Sequence, residues 1–298
     1  MANITTTEAA DIIPTVIAAR ALGTLKANTV AAMLFNRDWD NEVAEHGQVV
    51  KTHTRGALSV NDKAANTVVT LQTPSVTGVS VTLNKHKEVS FLIEDIAAAL
   101  AKPEMLMGYM QDGIIAIAEQ IDTDLLALYS GLSQSIDATA GLGEDDFREA
   151  RRVLHTAKVP LRGRFAILHE DAEFEMLSIE RVVNRDYAES LGQGQAGAYT
   201  GRFAGFDTFM DQMVAVATSE CKNIFAHRDA LVLATRPMPQ APAGLGVRQE
   251  SMSEDGVGLR VTLSYNPDHL GWQVTIDVLY GVAELRDNHG VVVRTTEI

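Results

Sequence analysis

In the stretch SVTLNKHKEVSF, Ser80 to Phe91, apolar residues fall on odd positions. With Val79 just before it, Val81, Leu83, Val89 and Phe91 alternate with Ser80, Thr82, Asn84, Glu88 and Ser90. A period of two predicts a β-strand with one face turned to a core. Lys85 and Lys87 stand on that same face, so one part of the strand suits a core and another part does not. Extended chain reaches back to Gly47: GQVVKTHTRGALSVNDKAANTVVTLQTPSVTGVSVTLNKHKEVSF is rich in Thr, Val and Ser, with almost no large apolar residues in its middle. Two β limbs are expected to flank the polar stretch Ala57 to Asn66. Each has room for roughly fifteen residues, or about 50 Å at about 3.3 Å each. A two-stranded ribbon is marginal in water by itself, so its support is expected from a neighbouring copy of the chain.

Helical spacing governs the next segment. Ile114, Ile117, Ile121, Leu125 and Leu128 share a face within a long helix predicted over 93–128, with Pro103 as a kink or a fresh start. From Pro103 onward the rod would be about 40 Å long. Ahead of the ribbon, Ile12, Ile13, Val16 and Ile17, then Leu22, Leu25, Val30, Met33 and Leu34, read as short helical pieces forming an arm with little to fold upon locally. EDDFREARRVLHTAKV reads as an amphipathic helix with Phe147, Ala150, Val153 and Leu154 inward and acids at its start. RFAILH is a short buried strand and EDAEFEMLSIE a helix beside it. The remainder is mostly β: FDTFMDQMVAV, NIFAHRDALVLATR, LRVTLSYN and WQVTIDVLYGVAEL. Together these elements predict an α+β fold.

Composition narrows the class. The 298 residues, 46% hydrophobic and 21% charged, are those of a globular protein. With 25 Lys and Arg against 39 Asp and Glu, the formal net charge is −14. So acidic a chain repels polyphosphate, which argues against tight direct binding to nucleic acid while allowing a place beside it. Cys221 is the only cysteine, which excludes an intrachain disulfide and a thiolate zinc cluster and suits a reducing compartment. Glu8, Asp11 and Pro14 are wrong for a secretory signal, and no stretch has the length of an apolar membrane span.

Catalytic signatures are weak. GQGQAG, Gly192 to Gly197, matches GxGxxG, but no apolar strand precedes it and a poor helix follows, so it reads as a loop. NRDWDNE, Asn36 to Glu42, begins like a calcium loop, but Asn41 and Gly47 occupy the places that require Gly and Glu. The eight histidines include no HExxH and no i, i+4 pair. No nucleophile elbow or phosphate-binding loop occurs. Cys221 reads as a buried small residue, and Trp39 and Trp272 as core or interface anchors. No catalytic residue, cofactor or metal ligand is expected.

An arm, a long hairpin entered through LNKHKEVSFLIEDIA, a spine helix, RFAILHEDAEFEML, AGFDTFMDQMV, NIFAHRDALVLATRPMP and the closing WQVTIDVLYGVAELRDNHGVVVRT follow one another in an order that resembles the major capsid proteins of tailed double-stranded DNA bacteriophages. The resemblance covers nearly the whole chain and lies in the layout of parts. It implies an N-terminal arm over 1–46, an extended β-hairpin loop over 47–92 and a spine helix over 93–132. It further implies a peripheral domain from 133–199 with 276–298, and an axial domain over 200–275. By the same resemblance, copies would form hexamers and pentamers in an icosahedral head with scaffolding and portal proteins as partners. The shell would assemble in the host cytoplasm and enclose DNA without reading its sequence. Arg55, Lys63, Lys85, Lys87, Glu88 and Trp39 are the expected inter-subunit contacts. An encapsulin-like nanocompartment, or a soluble acidic hydrolase, remains the alternative.

Overall fold

The computed structural model describes residues 29–37, 49–55, 58–94, 103–179, 182, 199–236, 238–240, 247–254 and 257–297. After a short helix α1 (Ala31–Leu34), β1 (Val49–Arg55) and β2 (Val76–Thr82) pair antiparallel as a ribbon, Val49 opposite Thr82 and Arg55 opposite Val76. The chain then turns back, and β3 (Lys85–Glu94) joins a different sheet. The segment expected as one long hairpin limb is thus split in two. Only its first half belongs to the ribbon.

Helix α2 (Pro103–Leu126) is 24 residues long, about 36 Å at the usual helical rise, and passes into a 3-10 turn over Ala127–Gly131. The expected helix over 93–132 is corrected at its head, because Ile93 and Glu94 are still in β3; 95–102 lie outside the described residues, and the described helix opens at Pro103. Proline is suited to that first turn because it has no N–H to leave unpaired.

β3 pairs antiparallel along one edge of β13 (Gly271–Glu284). The other edge of β13 carries β12 (Val257–Asn266) along one half and β10 (Leu231–Arg236) along the other, with β11 (Arg248–Glu254) outside β12. One face of this five-stranded sheet packs on α2. Ile114, Ile117 and Ile121 meet Leu259, Val261, Val274, Ile276 and Val278 there, with Val89, Phe91 and Ile93 of β3 alongside. The core-facing half of β3 therefore lies against the spine helix of its own chain. At the other end of β3, α2 supplies a carboxylate instead of apolar side chains, and Lys85 Nζ lies 2.9 Å from Asp124 Oδ1.

The second sheet runs β4 (Ser135–Asp137), β14 (Gly290–Thr296), β9 (Glu220–His227), β5 (Arg164–Leu168), β7 (Phe206–Met210) and β6 (Tyr199–Phe203), with β8 (Val216–Ala217) paired to β9. Helices α3 (Glu144–Thr156) and α4 (Glu170–Leu177) cover one face. Phe147 meets Phe203 and Phe225 edge-on there, at 5.0 Å each. The other face, through Phe165, Ile167, Ile224 and Val292, receives Ala31 and Phe35 of the arm and Leu125 and Leu126 of α2. Burial on both faces is why FAIL and VVV read as unbroken apolar runs.

The expected domain ranges cut across these layers. The boundary between 199 and 200 falls inside β6, and that between 275 and 276 divides β13. Strands from both ranges share the second sheet because β9 hydrogen-bonds to β5 on one side and β14 on the other.

The arm also differs from expectation, since residues 29–37 find a home in their own chain. Phe35 packs edge-on to Phe165 at 5.0 Å. Asn36 bridges to Val232, accepting from Leu233 N at 3.0 Å. Among the described residues no helix is long and apolar enough to cross a membrane.

Candidate assembly surface

The ribbon is anchored at its base and bare at its tip. Val81 and Leu83 are buried with Val232, Ala234 and Leu285, which fixes the lower end of β2 to the first sheet. The approach is close: a Cβ on Gly281 would lie 2.3 Å from the carbonyl oxygen of Thr82, so only glycine admits the ribbon here. Beyond the Arg55–Val76 pair, every residue from Leu58 to Val76 is exposed. Val60 is 97% exposed, Val68 92% and Leu71 90%. The Gln72 side chain crosses between the limbs to accept from Ser59 N at 2.9 Å, and Asn66 turns the tip in the left-handed region at φ 63°. Branched apolar residues held out in water at the end of a projection are the composition of a surface made to be covered. Full burial of each would contribute about 1.5–3 kcal/mol.

The sequence-predicted contact residues do not converge on one spot. Arg55 ends β1 at the last ladder pair, and Lys63 lies in the exposed tip with Nζ 3.0 Å from the carbonyl of Ala64. Lys85 and Lys87 lie at the base beside Asp124, half-buried. Burial pushes the Asp124 carboxyl up, but the Tyr280 hydroxyl and the Lys85 ammonium outweigh it and hold the carboxyl below its ordinary value. Glu88 is on the opposite, exposed face of β3, where it accepts from Ser90 Oγ. Trp39 lies outside the described residues. Val60, Val68, Val69 and Leu71 were missed as a set. The signal for the last three was NTVVTLQT, an apolar β-type run with no local partner.

No family model and no curated protein matches the chain. Solved structures do match it. A chain of Mycobacterium phage Che8 superposes with a TM-score of 0.65 at 20% identity, covering 89% of this chain and 90% of that one. A chain from the capsid of cyanophage P-SCSP1u gives 0.61 at 12% identity, covering 85% of each. A chain from the mature capsid of bacteriophage PhiM1 gives 0.60 at 10% identity, covering 86% and 84%. The chain has the tailed-phage major capsid fold.

Proposed function

We propose that this protein is the major capsid protein of a tailed double-stranded DNA bacteriophage, a structural subunit and not an enzyme, whose copies close into the icosahedral head. The observation that carries the reading is the exposed tip, Leu58 to Val76, on a chain whose fold matches phage capsid chains over about 85% of its length. On this reading the tip lies across an adjacent subunit in hexamers and pentamers, burying Val60, Val68 and Leu71. Arg55 and Lys63 on the ribbon take part directly. Lys85 and Lys87 act at its base, and Glu88 and Trp39 complete the contact set. The two sheets, not the sequence ranges, are then the axial and peripheral units. Many modest contacts repeated under closed symmetry make a stable container whose assembly errors can still be corrected. Scaffolding and portal proteins are the expected partners during assembly in the host cytoplasm. DNA is enclosed without sequence-specific contact, in keeping with a net charge of −14.

The test is native mass measurement with negative-stain microscopy of the purified protein. Closed shells or hexamer and pentamer clusters are expected from the natural chain. The triple variant Val60→Asp, Val68→Asp, Leu71→Asp should keep the subunit's melting temperature and lose those species. A discrete dimer with nothing larger, or normal shells from the triple variant, sinks the reading.

A further inference from the structure

We propose that His227, Asp229 and His289 form a binding site for one divalent transition-metal ion of the zinc type. His227 ends β9, Asp229 lies two residues on in the turn to β10, and His289 ends the 3-10 turn Asp287–His289 before β14. The ladder between β9 and β14 sets Gly290 opposite Ala226, which brings the two imidazoles together although they are far apart in sequence. One potential ligand atom from each of the three residues lies within 4.8 Å of the other two. Donors around a tetrahedral zinc, each roughly 2.0–2.2 Å from the ion, stand roughly 3.3–3.6 Å apart, so small side-chain rotations close the set.

A second observation points to a ligand. His289 is 9% exposed, and its Nδ1 is buried without a hydrogen-bond partner. Its neighbours are supported from outside, as metal-binding side chains usually are. Asp229 Oδ1 accepts from Asn36 Nδ2 at 2.9 Å, and the His227 ring is hydrogen-bonded to the backbone of Arg162. The Asp229 N–H lies 3.2 Å from His227 Nδ1, a long contact that a metal bond would replace.

The charges of Arg164 and Arg286 both bear on the two imidazoles. Those guanidiniums also repel a cation, which makes the Asp229 carboxylate the necessary counter-charge. A second cluster, His169, Asp171 and Cys221, lacks these properties. There His169 Nδ1 caps the Asp171 N–H of α4, and burial pushes the Cys221 thiol up to about 11, far from the thiolate a metal requires.

Chelator-stripped full-length protein would be titrated with zinc(II) by calorimetry and with cobalt(II) by visible absorption. One ion per chain is expected. His289→Gln and Asp229→Asn should each weaken binding at least ten-fold while the circular dichroism of the apo protein stays unchanged. His169→Gln should bind as the natural chain does. No stoichiometric uptake by the natural chain, equal affinity in folded His289→Gln and Asp229→Asn variants, or loss of uptake with His169→Gln would overturn the site.

Discussion

Asp122 of α2 holds the arm by its backbone. Its two oxygens accept from Val30 N at 2.7 Å and Ala32 N at 2.9 Å. It also shares a cavity of about 300 Å³ with Glu119, Asp211 and Gln212. Burial, with Asp211 adding repulsion, raises the Asp122 pKa from 3.8 to about 7, and burial raises Asp211 as well. A carboxyl whose pKa rises on folding holds its proton more tightly in the folded state. Its contribution to stability is therefore full below the unfolded value and is lost as pH rises through the folded one. His227 and His289, with lowered values, act below their ordinary 6.5, so the window above that belongs to the acids. Between pH 6.5 and 8 the subunit is expected to lose about 1 kcal/mol. Urea midpoints across that range should fall for the natural chain and lie nearly flat for Asp122→Asn. Parallel slopes would remove Asp122 from the account. Nothing in the spacing of Asp122 along α2 announced this role, because its partners are backbone groups roughly ninety positions upstream.

Among the elements, β3 and α2 show where periodicity suffices and where it does not. Ile114, Ile117, Ile121 and Leu125 are all buried, as their spacing predicts, and the odd residues of β3 face inward as alternation predicts. The boundary between the two elements was misplaced because apolar Leu92 and Ile93 satisfy either period over so short a run. Lys85 on the inward face became intelligible only with Asp124 in place, which also accepts from the buried Tyr280 hydroxyl at 2.6 Å. Asp124→Ala should destabilise the subunit by about 1–3 kcal/mol, the cost of leaving that hydroxyl unsatisfied in the core. Lys85→Ala should cost less, since the lysine is 32% exposed and can be rehydrated. Denaturant titration of the two variants checks the order. A larger loss for Lys85→Ala would contradict it.

For the whole molecule, charge and shape oppose each other. A bare apolar ribbon tip favours association, while a net charge of −14 makes copies repel at distances comparable to the Debye length. Raising ionic strength from 0.05 to about 0.5 M, which shortens that length from roughly 14 to 4 Å, should speed formation of clusters or shells. Light scattering follows it directly. Slower association in salt would mean that pairing of opposite charges outweighs burial of the ribbon.

By itself the sequence determined the helices and strands whose periods repeat over many residues, the order of parts that resembles a phage capsid protein, and the acidic balance. These depend on neighbours in the chain. Tertiary structure decided that β3 leaves the ribbon for β13, that residues 29–37 dock on their own subunit, that the outer valines and Leu71 stay uncovered, and that two distant histidines meet Asp229. Each of those outcomes rests on pairing and burial between segments far apart in sequence, and a local repeat of apolar and polar residues carries no address for a distant partner.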